Sequence, residues 1–174
     1  MTSELIGLLA NLALTLSLIV AVVFGIAQAQ AAARDRRERL TLETLRRFES
    51  REFAELIQYI DTHDLPSNRK ALRELPVNEQ AMFIQFSMQM EDLGILVAED
   101  MINIDLVDKT LGSFVSAAWA KYREMTMNTR AEDNEPFMSE YFQWLAETID
   151  ARMRANPRKP FHESHPPAVP GHKK

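Results

Sequence analysis

Between Leu5 and Ala33 the chain carries no ionisable side chain, and Arg34-Asp35-Arg36-Arg37-Glu38-Arg39 follows at once. Any fold must accommodate that junction. The 23 residues Leu5–Ala27 make a helix of roughly 35 Å at about 1.5 Å per residue, against a hydrocarbon slab of about 30 Å. Fourteen of them are Leu, Ile, Val or Phe, each favouring insertion by about 0.3–0.6 kcal/mol near the helix centre. Together they outweigh the cost of Asn11, Thr15 and Ser17. The segment reads as a transmembrane helix with its short amino end outside. The arginines beyond it hold the remainder in the cytoplasm, since positive charge stays on that side.

A cleaved signal peptide is the rival reading. Ala27-Gln28-Ala29 and Ala29-Gln30-Ala31 fit the small-x-small pattern of a cleavage site. Against it, Glu4 stands where a leader carries Lys or Arg, and the apolar run exceeds the roughly 7–15 residues of a leader. The chain contains no cysteine, which excludes disulfides and thiolate metal sites but assigns no compartment.

Composition divides the chain into three zones: an anchor at 1–33, a body at 34–155 and a tail at 156–174. The tail holds five of the eight prolines and three of the four histidines, and is expected to be disordered or extended. The net charge of −5 divides into −1 before Arg34, −7 in the body and +3 in the tail. An acidic body argues against nucleic acid as a partner, because phosphate neutralisation needs a basic face.

The body reads as helix throughout, so the fold class is all-α: a transmembrane helix running into a small cytoplasmic helical bundle. Sustained period-two alternation is absent. The body's prolines, Pro66, Pro76 and Pro136, stand near breaks, and its glycines are Gly94 and Gly112. The first helix is expected to continue to about Phe48. Ser50 then caps a second helix to about Thr62, with Phe53, Leu56, Ile57 and Ile60 on one face. A short turn covers about Asn68–Leu75.

The most apolar helix, about Asn78–Met101, carries Met82, Phe83, Phe86, Met90, Leu93 and Val97 at helical spacing, with Ile84, Met88 and Ile95 widening the stripe. That width predicts a central helix touched on several sides. Asp105 is the expected N-cap of the next helix, helped by Asp108, with Leu111, Phe114, Val115, Ala118, Trp119 and Tyr122 inward. The last helix, about Pro136–Ala155, is expected to bury Phe137, Tyr141, Trp144, Leu145 and Ile149, with proline in its first turn.

The apolar span, its arginine-rich exit, Thr41-Leu42-Glu43-Thr44-Leu45-Arg46-Arg47-Phe48 and Ser50-Arg51-Glu52-Phe53 together carry a likeness. So do Phe86-Ser87-Met88-Gln89-Met90-Glu91-Asp92-Leu93-Gly94-Ile95-Leu96-Val97, and Ile104-Asp105-Leu106-Val107 with the later Trp119. The chain resembles a bacterial family of single-span proteins catalogued only as a domain of unknown function. That family often has glutamate where this chain has Asp92. The resemblance covers most of the chain except the tail. It implies the helical fold, the topology and a bacterial inner membrane, and transfers no catalytic residue.

Candidate chemistry is sparse. Ala10, Ser17, Ala21 and Gly25 form a small-residue ridge along the span, which lets two helices approach closely, and Asn11 adds an amide that seeks a partner in lipid. A second copy or another membrane protein would dock there; small residues in any span are the plain alternative. Arg34, Arg36, Arg37 and Arg39, then Arg46, Arg47 and Arg51, form a basic cluster that could meet anionic lipid headgroups. Asp35, Glu38, Glu43 and Glu49 dilute its field and can pair with it along the helix, so a topology signal is the leading expectation. Glu91 is the one acid to watch. It shares a face with Ser87, Gly94 and Ala98, and if buried needs a partner such as Arg123, Lys121 or the Trp119 indole. A structural ion pair is the expectation there, rather than catalysis.

His162, His165 and His172 lie among prolines that oppose a rigid metal-binding helix. His63 reads as a surface residue. The methionines read as core filler rather than copper ligands. No phosphate loop, nucleophile elbow or dinucleotide fingerprint occurs. No cofactor and no enzymatic activity are therefore expected. The leading expectation is a membrane-tethered interaction module. Alternatives are an accessory subunit of a larger membrane complex, or a membrane-bound enzyme using the acids of the central helix.

Overall fold

A computed structural model describes residues 2–164, and every regular element among them is helical. α1 (Thr2–Phe48) is one unbroken helix of 47 residues, roughly 70 Å long. Its leading part touches nothing: every large apolar side chain from Leu5 to Ile26 is exposed. By length and composition it is the one helix among the described residues fit to cross a membrane, and none of its most apolar stretch is buried. Only the last three turns dock. Thr41, Thr44 and Leu45 are buried there, with Leu40 and Phe48 packed at the edge of the core.

α2 (Arg51–Thr62) starts where expected, with the Ser50 hydroxyl accepting from Phe53 N at 3.2 Å. It buries Phe53, Leu56 and Ile60. Its carboxyl end is closed from another helix: Lys121 Nζ donates to the carbonyls of Ile60 (2.8 Å) and Asp61 (3.0 Å), a cation set on the negative end of the helix dipole. His63 follows as C-cap, stacked on Tyr59 with ring centroids 3.9 Å apart. α3 (Arg69–Glu74) is a short piece capped by Asn68, whose side chain accepts from Ala71 N at 2.8 Å.

α4 (Val77–Ala98), α5 (Ile104–Asp133) and α6 (Glu140–Ala155) form the bundle proper. Phe86 on α4 sits at its centre. Tyr122 of α5 stacks on it at 5.3 Å, and Phe114 and Phe142 meet it edge-on at 5.9 and 6.4 Å. Each such pair contributes about 0.5–1.5 kcal/mol beyond burial alone. The Tyr122 hydroxyl donates to Phe83 O at 3.1 Å, and burial pushes its phenol far above the ordinary range.

Three expectations need correction. The N-cap of α5 is Asn103, whose side chain accepts from Asp105 N at 2.8 Å; Asp105 is already inside the first turn. On α4, Ile84, Met88 and Ile95 face outward, Met88 with 62 % of its surface exposed. Helix spacing permitted a wide stripe, but α2, α5 and α6 cover only part of the circumference. The last helix begins at Glu140, not Pro136, because 134–139 makes a turn with Asn134 and Ser139 in the left-handed region. Phe137 is consequently 71 % exposed and Trp144 also faces out, while Phe142 and Ala146 enter the core beside Leu145 and Ile149.

Residues 157–160 have no regular structure, and Phe161–Ser164 makes a single helical turn (α7). His162 lies in that turn, so the surrounding prolines exclude a long helix there but not a short one. The remainder of the expected tail, with His165 and His172, lies outside the described residues.

α4 and α6 approach most closely at Gly94. A Cβ added there would lie 2.4 Å from Tyr141 O and 2.6 Å from Tyr141 C, and backbone cannot yield as a side-chain tip can. Replacing glycine by alanine inside a helix ordinarily stabilises by about 0.5–1 kcal/mol. Gly94→Ala should reverse that sign and destabilise by about 1–3 kcal/mol, read as a lowered midpoint in thermal unfolding followed by circular dichroism. An unchanged or raised midpoint would show that the seam is looser than described.

Candidate functional site

Glu91 stands one turn before Gly94 on the same seam. α6 opens at Ser139, whose backbone is left-handed (φ 53°) and whose side chain caps nothing. The orphan amides of its first turn are satisfied from α4 instead. Glu91 Oε1 accepts from Tyr141 N at 3.2 Å and Oε2 from Phe142 N at 2.8 Å. These are the second and third helical amides, which a capping side chain normally serves. A carboxylate there also meets the positive end of the helix dipole. Ser87 completes the contact, its hydroxyl 3.1 Å from that of Ser139.

The partner of Glu91 is therefore backbone. Arg123, Lys121 and Trp119 do not bond it: Lys121 closes α2, and Trp119 packs edge-on against Phe142 at 5.2 Å. Ser87 and Gly94 do admit a neighbouring helix, whereas Ala98 is exposed. Sequence reasoning found the face and missed the partner. The sequence carries no signal for it, because Ser139 reads as an ordinary N-cap and only its left-handed backbone turns the side chain away from that task.

Beside this seam a cavity of about 460 Å³ opens between α3, α4 and the 134–139 turn, walled by Leu72, Phe83, Ile84, Met88 and Met125. Arg69 stands at its edge, bonded to Glu135 at 2.9 Å and within 3.2 Å of Asp133. The Arg69 guanidinium holds the Glu135 carboxyl below the usual carboxylate range. That pairing supports the fold above the ordinary carboxyl pKa and is lost as pH falls through the lowered value. Arg130 ties down the turn, donating to Met138 O at 2.7 and 2.9 Å and to Gln143 Oε1 at 2.7 Å. Among the described residues no group of three or more His, Asp or Glu is placed to hold a metal ion. The methionines are divided: Met90 and Met125 are buried, Met88, Met101 and Met153 exposed.

On α1 the arginines separate. Arg37 reaches the bundle, forming an ion pair with Asp100 and donating to Ile102 O at 3.3 Å. Arg34, Arg36 and Arg39 are exposed. With each residue turning the helix by about 100°, the docked face of α1 (Arg37, Thr41, Thr44, Leu45) lies roughly opposite the ridge of Ala10, Ser17, Ala21 and Gly25. Asn11 falls about a quarter-turn to the side of that ridge. No Cβ on Gly25 would meet a neighbour within 4 Å.

The family model described as a domain of unknown function (DUF4760) matches residues 15–149. The chain belongs to this family. The matched stretch opens inside the apolar part of α1 and closes inside α6. It includes the basic exit, the docked turns of α1 and the whole Glu91–Gly94 seam. A search of curated proteins found no match, and neither did a search of solved structures.

Glu91→Ala strips two amides of their acceptor and should cost about 1–2 kcal/mol; Glu91→Gln, which keeps one acceptor oxygen, should cost about half that. Denaturant midpoints measure both. Equal stability of Glu91→Ala and the parent would remove the capping role.

Proposed function

We propose that the protein is a membrane-tethered helical interaction module of the bacterial inner membrane, with its amino end outside and its bundle in the cytoplasm. The observation that carries this reading is the continuity of α1. One helix supplies both the exposed apolar stretch and the docked turns that enter the core, so the bundle is held at a set angle to the anchor. Four arginines at the exit favour cytoplasmic retention of the bundle beyond them. The small-x-small motifs at Ala27–Ala31 sit inside unbroken helix, which supports an uncleaved anchor, since proteases take their substrates extended. The family match beginning at residue 15 also favours a segment that stays with the domain.

The working surface of the span is the ridge of Ala10, Ser17, Ala21 and Gly25. Because it faces away from the bundle, two chains can pair along it with their bundles on the outside, and nothing on the chain itself obstructs the approach. Close packing of small residues is a principal source of helix association in lipid. Self-association and docking to another membrane protein use the same geometry. An accessory role in a larger membrane complex is favoured by one further observation, the exposed apolar face of α4 at Ile84, Met88 and Ile95.

The chain has no cysteine, so single cysteines report topology without background. Ser3→Cys should be labelled by an impermeant maleimide in intact cells, and Ser164→Cys only after lysis, with the protein resisting alkaline carbonate extraction. The reverse labelling pattern, or extraction into the soluble fraction, overturns the reading. Ser17→Leu with Ala21→Leu should lower cross-linked dimer or heteromer several-fold while leaving the bundle's melting unchanged. A parent protein that cross-links to nothing removes the ridge as the working surface.

A further inference from the structure

The outward face of α4 carries a straight apolar stripe. Val77, Ile84, Met88 and Ile95 are all exposed, and by the helical step of about 100° they fall within one arc of about 40°. Glu91, the acid within that arc, is turned aside to the amides of α6. From Val77 to Ile95 the stripe runs roughly 27 Å at about 1.5 Å per residue. Across the Glu91–Gly94 seam, α6 adds Trp144, also exposed. The cavity of about 460 Å³ has Ile84 and Met88 in its wall, so the ridge is joined to a hole that fits a large apolar side chain. An apolar patch rimmed by polar groups marks an interaction site, unlike single exposed residues.

The border of the stripe is acidic. α4 has no Lys or Arg, and α6 has none before Arg152. Along the outer edge, the groove beside Ile84 and Met88 is lined by Gln85, Gln89 and Asp92, none of them a cation. Gln85 donates there to Glu52 of α2 at 2.9 Å. Along the other edge, Glu140 and Glu147 stand one turn before and one turn after Trp144. Arg130, which α5 sets against this side of α6, is turned to Met138 O and Gln143 Oε1. Only at the α3 end do the signs balance. Arg69 and Arg73 in the cavity wall stand with Asp133 and Glu135, both of which Arg69 engages.

We infer that the α4–α6 face docks a basic amphipathic helix of a partner protein. The apolar side of that helix lies along Val77, Ile84, Met88 and Ile95, with its anchors at the i, i+3, i+4 and i+7 spacing. One anchor enters the cavity, since binding energy concentrates where a large side chain fills a pocket, and Met88 is flexible enough to fit its wall around it. Lys or Arg beside those anchors meet Glu52 and Asp92 on one flank, Glu140 and Glu147 on the other. The same acids repel the anionic surface of a leaflet, which favours a protein over a membrane as the occupant. This inference rests on the interaction-module reading and deepens it by naming the surface and the chemistry of the partner.

The test uses the full chain in phosphatidylcholine nanodiscs and labelled synthetic peptides of about 18 residues, the length of the stripe, read by fluorescence anisotropy against empty discs. One peptide is an amphipathic helix with a leucine face flanked by lysines. A second replaces the lysines by glutamate, and a third scrambles the first. The leucine–lysine helix should bind roughly tenfold more tightly than either of the others, and more weakly as salt rises. Ile84→Ser with Met88→Ser should remove most of that binding, and so should Asp92→Lys with Glu147→Lys. Melting should be unchanged in both, because all four side chains are exposed. Glu43→Lys with Glu124→Lys, the same change of charge on exposed positions of α1 and α5, should bind as the parent does. Binding indifferent to peptide charge and to salt would mean an apolar face open to lipid, and equal loss in the control pair would mean diffuse attraction; either overturns the site. Parent-like binding in the Ile84–Met88 and Asp92–Glu147 pairs overturns it too. If Asp92→Lys with Glu147→Lys abolishes cross-linking between chains, the occupant is a second copy and the partner assignment fails. Failure of the peptide to bind a chain that withstands carbonate extraction loses only this inference, whereas a chain that washes off the membrane loses the membrane reading without altering the peptide result.

Discussion

The seam between α4 and α6 is the contact on which the other placements depend. α6 has no side-chain cap of its own and begins from a left-handed serine, so its first amides are satisfied only when Glu91 is in place. Gly94 lets the two backbones close to a distance that no side chain would allow. Once α6 is seated, Phe142, Leu145 and Ile149 complete the core, and Arg152 and Arg158 reach Asp105 and Asp108 at the start of α5. The start of α5 in turn holds α1, through Asn103 N donating to Thr41 Oγ1 at 2.9 Å. A carboxylate on the central helix is thus linked, contact by contact, to the angle at which α1 leaves the bundle.

That linkage gives α1 a double character. Its first part has the composition of a membrane span, with apolar residues on every side and backbone bonds satisfied within the helix. Its last three turns obey the rules of a water-soluble core, burying one face only. Arg37 marks the change. In sequence it is one of four alike arginines; in space it belongs to the bundle, while Arg34, Arg36 and Arg39 are exposed.

Legibility from sequence was uneven, for reasons that can be named. Local signals read well: Ser50 and Asn68 cap the helices they precede, proline breaks the chain near Pro66, and the α5 apolar face is as periodicity predicts. Where three helices compete for one surface, periodicity identified apolar positions but not which of them a neighbour would cover. Hence Ile84, Met88 and Ile95 stand in solvent. The error on α6 came in part from Pro136, a residue that suits a first turn but here sits inside the preceding turn and leaves Phe137 outside the helix; within the helix, Phe142 and Ala146 face the core and Trp144 faces out.

By itself the sequence determined the all-helical class, the apolar stretch with its basic boundary, and most helix limits, because these rest on interactions within a few residues along the chain. Only the tertiary structure decided that Glu91 caps a distant helix, that Arg37 departs from its neighbours, and that Met101 stands beside the basic stretch of α1. Those outcomes depend on residues some 50 to 65 positions apart, and such distances become contacts only after the bundle has closed.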